Sequence, residues 1–126
     1  MSDQPLPGMP HKTRSRSARL GYDGERAVEV FLRNRGYGVD RPRAGRHEDI
    51  GDLAGLPLVV SVKNHAQPRL AEWCNDLEQM IGHSPWETGV VWHKKRGRSD
   101  PGLWYVTMTG YDFVPFLASY CEVRDD

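Results

Sequence analysis

At 126 residues the chain has the length of one compact domain, and its 27% charged and 38% apolar content is that of a folded soluble protein. No apolar run nears the ~20 residues that span a bilayer, and the first residues lack a signal-peptide core, so neither a membrane partner nor export is expected. Net charge is zero, which excludes a uniformly basic nucleic-acid coat, but the charge is unevenly spread: residues 1–47 hold ten Lys/Arg against five acids, and residues 48–92 hold seven acids against Lys63 and Arg69. The two cysteines, Cys74 and Cys121, form no CxxC pair and read as buried, reduced thiols. None of the five histidines has zinc spacing.

Residues 1–17, rich in Pro, Ser and Arg, lack apolar periodicity and read as a basic, disordered arm ahead of a single domain over 18–126. Leu20 to Arg35 is an amphipathic helix: Ala27, Val28, Val30, Phe31 and Leu32 make its apolar side, and Gly36 is placed to stop it. Tyr37 to Asp40 is a short strand. A polar loop follows, in which Arg43, Arg46 and His47 stand between glycines and form a candidate phosphate contact. Asp49 to Leu53 and Leu58 to Lys63 make a hairpin around a turn at 54–57, the second strand being apolar enough to lie inside a sheet. Pro68 to Ile81 is helical, with Leu70, Trp73, Cys74, Leu77, Met80 and Ile81 on one face. Thr88 to Lys94 and Leu103 to Thr109 are two further strands joined by a basic loop, Lys94-Lys95-Arg96-Gly97-Arg98. Tyr111 to Cys121 closes the chain as a short helix.

Strand alternation puts Val59, Ser61 and Lys63 on one face and Val60 and Val62 on the other. Lys63 is therefore a cation at the end of an apolar strand, with Asp52 on the neighbouring strand and Glu25 on the preceding helix. Two acids and a lysine so ordered suit phosphodiester cleavage. Carboxylates hold a hard divalent cation, the cation polarises the phosphate and activates water, and the lysine stabilises the charge that builds on phosphorus.

The run Gly21-x-x-Gly24-Glu25-Arg26-Ala27-Val28, then Gly51-Asp52-Leu53-x-Gly55, then Ser61-Val62-Lys63-Asn64, resembles the PD-(D/E)xK nuclease superfamily, and within it the archaeal and phage Holliday junction resolvases. The likeness extends over about Leu20 to Tyr111. It implies an α/β fold with a restriction-endonuclease-like αβββαβ core, a central mixed sheet flanked by helices. It also implies an Mg²⁺-dependent endonuclease, with Mn²⁺ as an expected substitute, acting on branched DNA as a homodimer in the cytoplasm of a bacterial or phage-infected cell. Carried over, Glu25 is the helix acid, Asp52 the strand acid and Lys63 the lysine, with Asp49 a rival to Asp52. Ser61 departs from the pattern, for the family carries a metal-binding Glu or Asp there. Either the acid has moved to the next helix, where Asp76 and Glu78 are equal candidates, or the site has lost a ligand. His65, Lys94, Lys95, Arg96 and Arg98, with Arg43 and Arg46, are the expected DNA contacts. The alternatives are an endonuclease for plain duplex or repair intermediates, and a non-catalytic DNA-binding protein.

Overall fold

The computed structural model describes residues 15–41 and 51–125. Helix α1 spans Arg16–Arg33. It begins where the Ser15 hydroxyl accepts the Ala18 N–H at 3.1 Å, so Arg16 and Ser17, expected in the arm, belong to the helix. Its end is a paired-bond stop: Gly36 N–H donates to the Arg33 carbonyl and Tyr37 N–H to that of Leu32, both at 3.0 Å, with Gly36 at φ 92°. Strand β1 (Val59–Lys63) pairs in parallel with β2 (Gly89–His93) across the crossover helix α2 (Leu70–His83). β2 pairs antiparallel with β3 (Tyr105–Thr107), which follows a single 3₁₀ turn at Pro101–Leu103. Helix α3 (Gly110–Asp125) ends the described chain and carries Pro115 inside it.

The fold is thus mixed α/β, with a mixed sheet ordered β1-β2-β3 among the described residues. Among the described residues, two of the expected strands show only isolated bridges: in Tyr37–Asp40, Asp40 pairs with Ala54, and in the described part of the first hairpin arm, Leu53 pairs with Val60. The physical cause is composition. Asp40, Asp52 and Gly55 interrupt any apolar run there, so the pairing has few side chains to bury. The strand expected from Leu103 begins two residues later, because Asp100 caps the 3₁₀ turn by accepting the Gly102 N–H at 2.9 Å.

Two cores sandwich the sheet. Val28 and Leu32 of α1 pack with Val60, Val62, Val90 and Trp104 on one face. Trp73 and Leu77 of α2 pack with Val59 and Val91 on the other. The alternation expected for β1 therefore holds, and it assigns Ser61 and Lys63 to the α2 face. Glu25 rides on α1, across the sheet from them. The crossing of α1 over the end of β1 is close: a Cβ on Gly24 would sit 3.2 Å from that of Asn64. Asn64 ties the same crossing by donating from Nδ2 to the Leu20 carbonyl at 2.9 Å. Cys74 is half-buried and Cys121 exposed, both as free thiols, so Cys121 is not the core thiol expected. No helix among the described residues is long and apolar enough to cross a membrane.

Candidate functional site

The site begins at Gly51. Its φ of 118° is the left-handed region, and a Cβ there would press within 3.2 Å of the Val60 carbonyl. That close approach lays Asp52 along β1. Asp52 N–H donates to the Val60 carbonyl at 2.7 Å, and the next bond of the ladder is taken over by a side chain, Val62 N–H donating to Asp52 Oδ2 at 2.6 Å. A carboxylate stands where a strand carbonyl would accept, and this bond holds Asp52 in one orientation.

Glu25 comes to the same place from α1. Burial raises its carboxyl to about 7, and the neighbouring Asp52 charge and a hydrogen bond to Asp52 push the same way; Arg41 and Lys63 pull against them. Asp52 is also raised, by burial foremost, against the Val62 N–H bond, Lys63 and Glu25. Two carboxyls pressed together and withdrawn from water hold a proton between them near neutrality, which is the electrostatic state that a cation would relieve. Lys63, the last residue of β1, is near enough for its charge to act on both acids although it belongs to the other face. Arg41, which no motif pointed to, is the further cation here. Its Nε donates to Glu29 Oε1 at 3.0 Å and its guanidinium lies 4.4 Å from the Tyr22 ring centre, so it is braced beside Glu25 rather than free.

The remaining expected residues divide. Lys63, His65 and Asp76 line one cavity of about 450 Å³ beneath the start of α2. Glu78 lies elsewhere, against the first turn of α3: a hydrogen bond to Asp112 chiefly, then burial and the Asp112 charge, raise its carboxyl to about 7. The two helix acids that the sequence left equal are thereby separated, and Asp76 is the one placed with Lys63. Ser61 is 1% exposed and its hydroxyl has no hydrogen-bond partner, so it is a buried residue of the α2 face and not a group open to the cavity. Asp49, Arg43 and Arg46 lie outside the described residues. Among the described residues no three His, Cys, Asp or Glu side chains converge as a ready-made metal cage.

Because β1 and β2 are parallel, their carboxyl ends open on the same side, and Lys94 N–H donates to the Lys63 carbonyl at 3.0 Å. The basic loop therefore starts beside Lys63. His65, Lys94, Lys95 and Arg96 line a second cleft, of about 490 Å³, adjoining the first through His65 and Trp73. Arg98 does not line it; its carbonyl accepts the Trp104 Nε1–H at 2.9 Å and anchors the loop. Compared with models of known families, with curated proteins and with solved structures, the chain matches none.

Proposed function

We propose that the chain is a metal-dependent DNA endonuclease of the PD-(D/E)xK kind, built on a restriction-endonuclease-like core and acting on branched DNA such as a four-way junction. The observation that carries this reading is the Glu25–Asp52 carboxyl pair, both raised foremost by burial and Glu25 also by the Asp52 charge, within the field of Lys63 at a strand end that opens toward a basic loop. The donor set fits Mg²⁺, which takes one or two protein carboxylates and completes its shell with water and phosphate oxygens. Glu25 and Asp52 would hold the ion, which when bound supplies Lewis-acid activation of the phosphate and of water. Asp52 is kept in place by the Val62 N–H, Lys63 balances charge on the phosphate, and Lys94–Arg96 hold the backbone of the DNA. Paired cuts across a junction need two such sites, hence a homodimer.

A second reading, a DNA-binding protein that does not cut, is favoured by Ser61, whose place in the motif belongs to a carboxylate and whose side chain is buried here. One assay separates the readings: Mg²⁺-dependent nicking of a labelled four-way junction beside a matched linear duplex. The expected result is junction cleavage by the parent and its loss in Lys63→Ala, with junction binding kept within several-fold. Equal cleavage of both substrates would make it a duplex endonuclease, and binding without nicking would leave only the second reading.

A further inference from the structure

The cleft at the carboxyl ends of β1 and β2 holds more than cations. Four rings run through it in a row: His65 to Trp73 at 5.7 Å between centres, Trp73 to His93 at 5.3 Å, and His93 to Tyr105 at 5.7 Å. The middle two are buried and form the floor, with Trp73 4% and His93 7% exposed. Tyr105, at one end, is 51% exposed. His93 is held in place by a 2.7 Å hydrogen bond between Nε2 and Thr107 Oγ1, and burial lowers its pKa, so the floor is uncharged at neutral pH. Lys95 Nζ stands 5.7 Å from the centre of the Tyr105 ring, and Arg96 lines the same cleft. An uncharged aromatic floor, a half-exposed ring at the rim with Lys95 over it and a second cation in the cleft are the parts of a single-strand site, in which the base stacks and the phosphate is paired. A fully paired duplex has no free base face to offer. The cleft volume, about 490 Å³, falls in the size range of sites that take one small ligand, about 300–1,000 Å³.

We propose that this cleft takes an unpaired nucleotide of single-stranded DNA, its base stacked at Tyr105 and its phosphate held by Lys95 and Arg96. Resting on the endonuclease reading, this narrows the substrate to branched DNA with unpaired residues beside the cut, such as a flap, a splayed arm or an opened crossover. The carboxyl pair and Lys63 deal with the scissile phosphate, and the ring cleft distinguishes a branch from plain duplex.

The test is binding of a short labelled oligo-dT to the full chain in EDTA, with a blunt duplex of equal length as competitor. Single strand is expected to bind the more tightly. Tyr105→Ala is expected to weaken it about tenfold, a typical cost of losing one base–aromatic stack. Tyr105→Phe keeps the ring and stays near the parent, and Lys95→Ala lowers the slope of log K against log salt by about 0.7. A half-exposed edge residue is chosen so that the variants fold, which their melting temperatures check. A parent that prefers duplex, or a Tyr105→Ala chain that binds oligo-dT like the parent, would overturn the proposal. Tyr105-dependent binding by a chain that nicks nothing leaves this site standing and removes the endonuclease reading. Junction nicking with oligo-dT binding indifferent to Tyr105 does the reverse.

Discussion

At the scale of single residues the proposed chemistry rests on Glu25 and Asp52, and their proton is the measurable quantity. Glu25 titrates near 7 in the folded chain against an ordinary value of 4.5. A carboxyl raised by folding favours the folded state while protonated and opposes it once ionised, so its contribution to stability is full below about pH 4.5 and is lost as pH rises through about 7. Glu25→Gln removes the charge and keeps the shape. In EDTA at pH 8 the variant is expected to melt about 4 °C above the parent, and at about pH 4 to melt with it. Mg²⁺ at pH 8 should raise the parent's melting temperature and leave that of the variant unmoved. Equal melting of the two at pH 8 would mean that Glu25 ionises in the folded chain without cost from burial or from Asp52. The same ionisation predicts that cleavage by the parent rises with pH through about 7, since only the ionised pair binds a cation.

At the scale of elements, α2 and the loop after β2 each carry a prediction. Asp76 lines the cavity of Lys63, whereas Glu78 is engaged with Asp112 at the start of α3. If a helix acid has taken the role that Ser61 cannot fill, it is Asp76. Asp76→Ala is then expected to reduce cleavage as severely as Asp52→Ala, about 100-fold or more, the range of losing a group that stabilises the transition state. Glu78→Ala should cleave like the parent. Parent-like cleavage by Asp76→Ala would reject the displaced acid and return the site to two ligands. Ser61→Glu is expected to destabilise the chain rather than to repair it, because position 61 is closed to water and a carboxylate there would be buried without a partner. In the loop, alanine at Lys94, Lys95 and Arg96 together should weaken DNA binding and flatten its salt dependence by about 0.9 in log–log slope for each phosphate that is no longer neutralised. A small drop in melting temperature is expected with it, since Lys94 and Lys95 lie half-buried at 5.9 Å and 5.7 Å from the ring centres of Trp104 and Tyr105. An unchanged salt slope would move the DNA surface to another part of the chain.

Across the whole molecule, the parts legible in the sequence are those that local rules govern. The first two helices follow from apolar spacing, although that spacing sets them at 20–35 and 68–81 and the structure at 16–33 and 70–83; β1 and β2 follow from short β-branched runs, and the face that each residue of β1 takes from the two-residue repeat of a strand. Gly51-Asp52 and Ser61-Val62-Lys63 stand out because a glycine before an acid, and a lysine ending an apolar strand, break those rules and so ask for a reason. What tertiary structure alone decided is which groups meet across long loops. Periodicity places Asp76 and Glu78 symmetrically about the buried face of α2, and only the meeting of Glu78 with Asp112 at the start of α3 separates them. No spacing links Arg41 to Glu25, or His65, Trp73, His93 and Tyr105 to each other; those rings come from β2, β3, α2 and the turn before it, brought side by side because two parallel strands end together. Ser61 is visible as a departure from a motif, but its closure from water depends on α2 lying over it. Secondary structure answers to neighbours a few residues away, and a site answers to burial and field, which sum over residues that the chain brings together only when it folds.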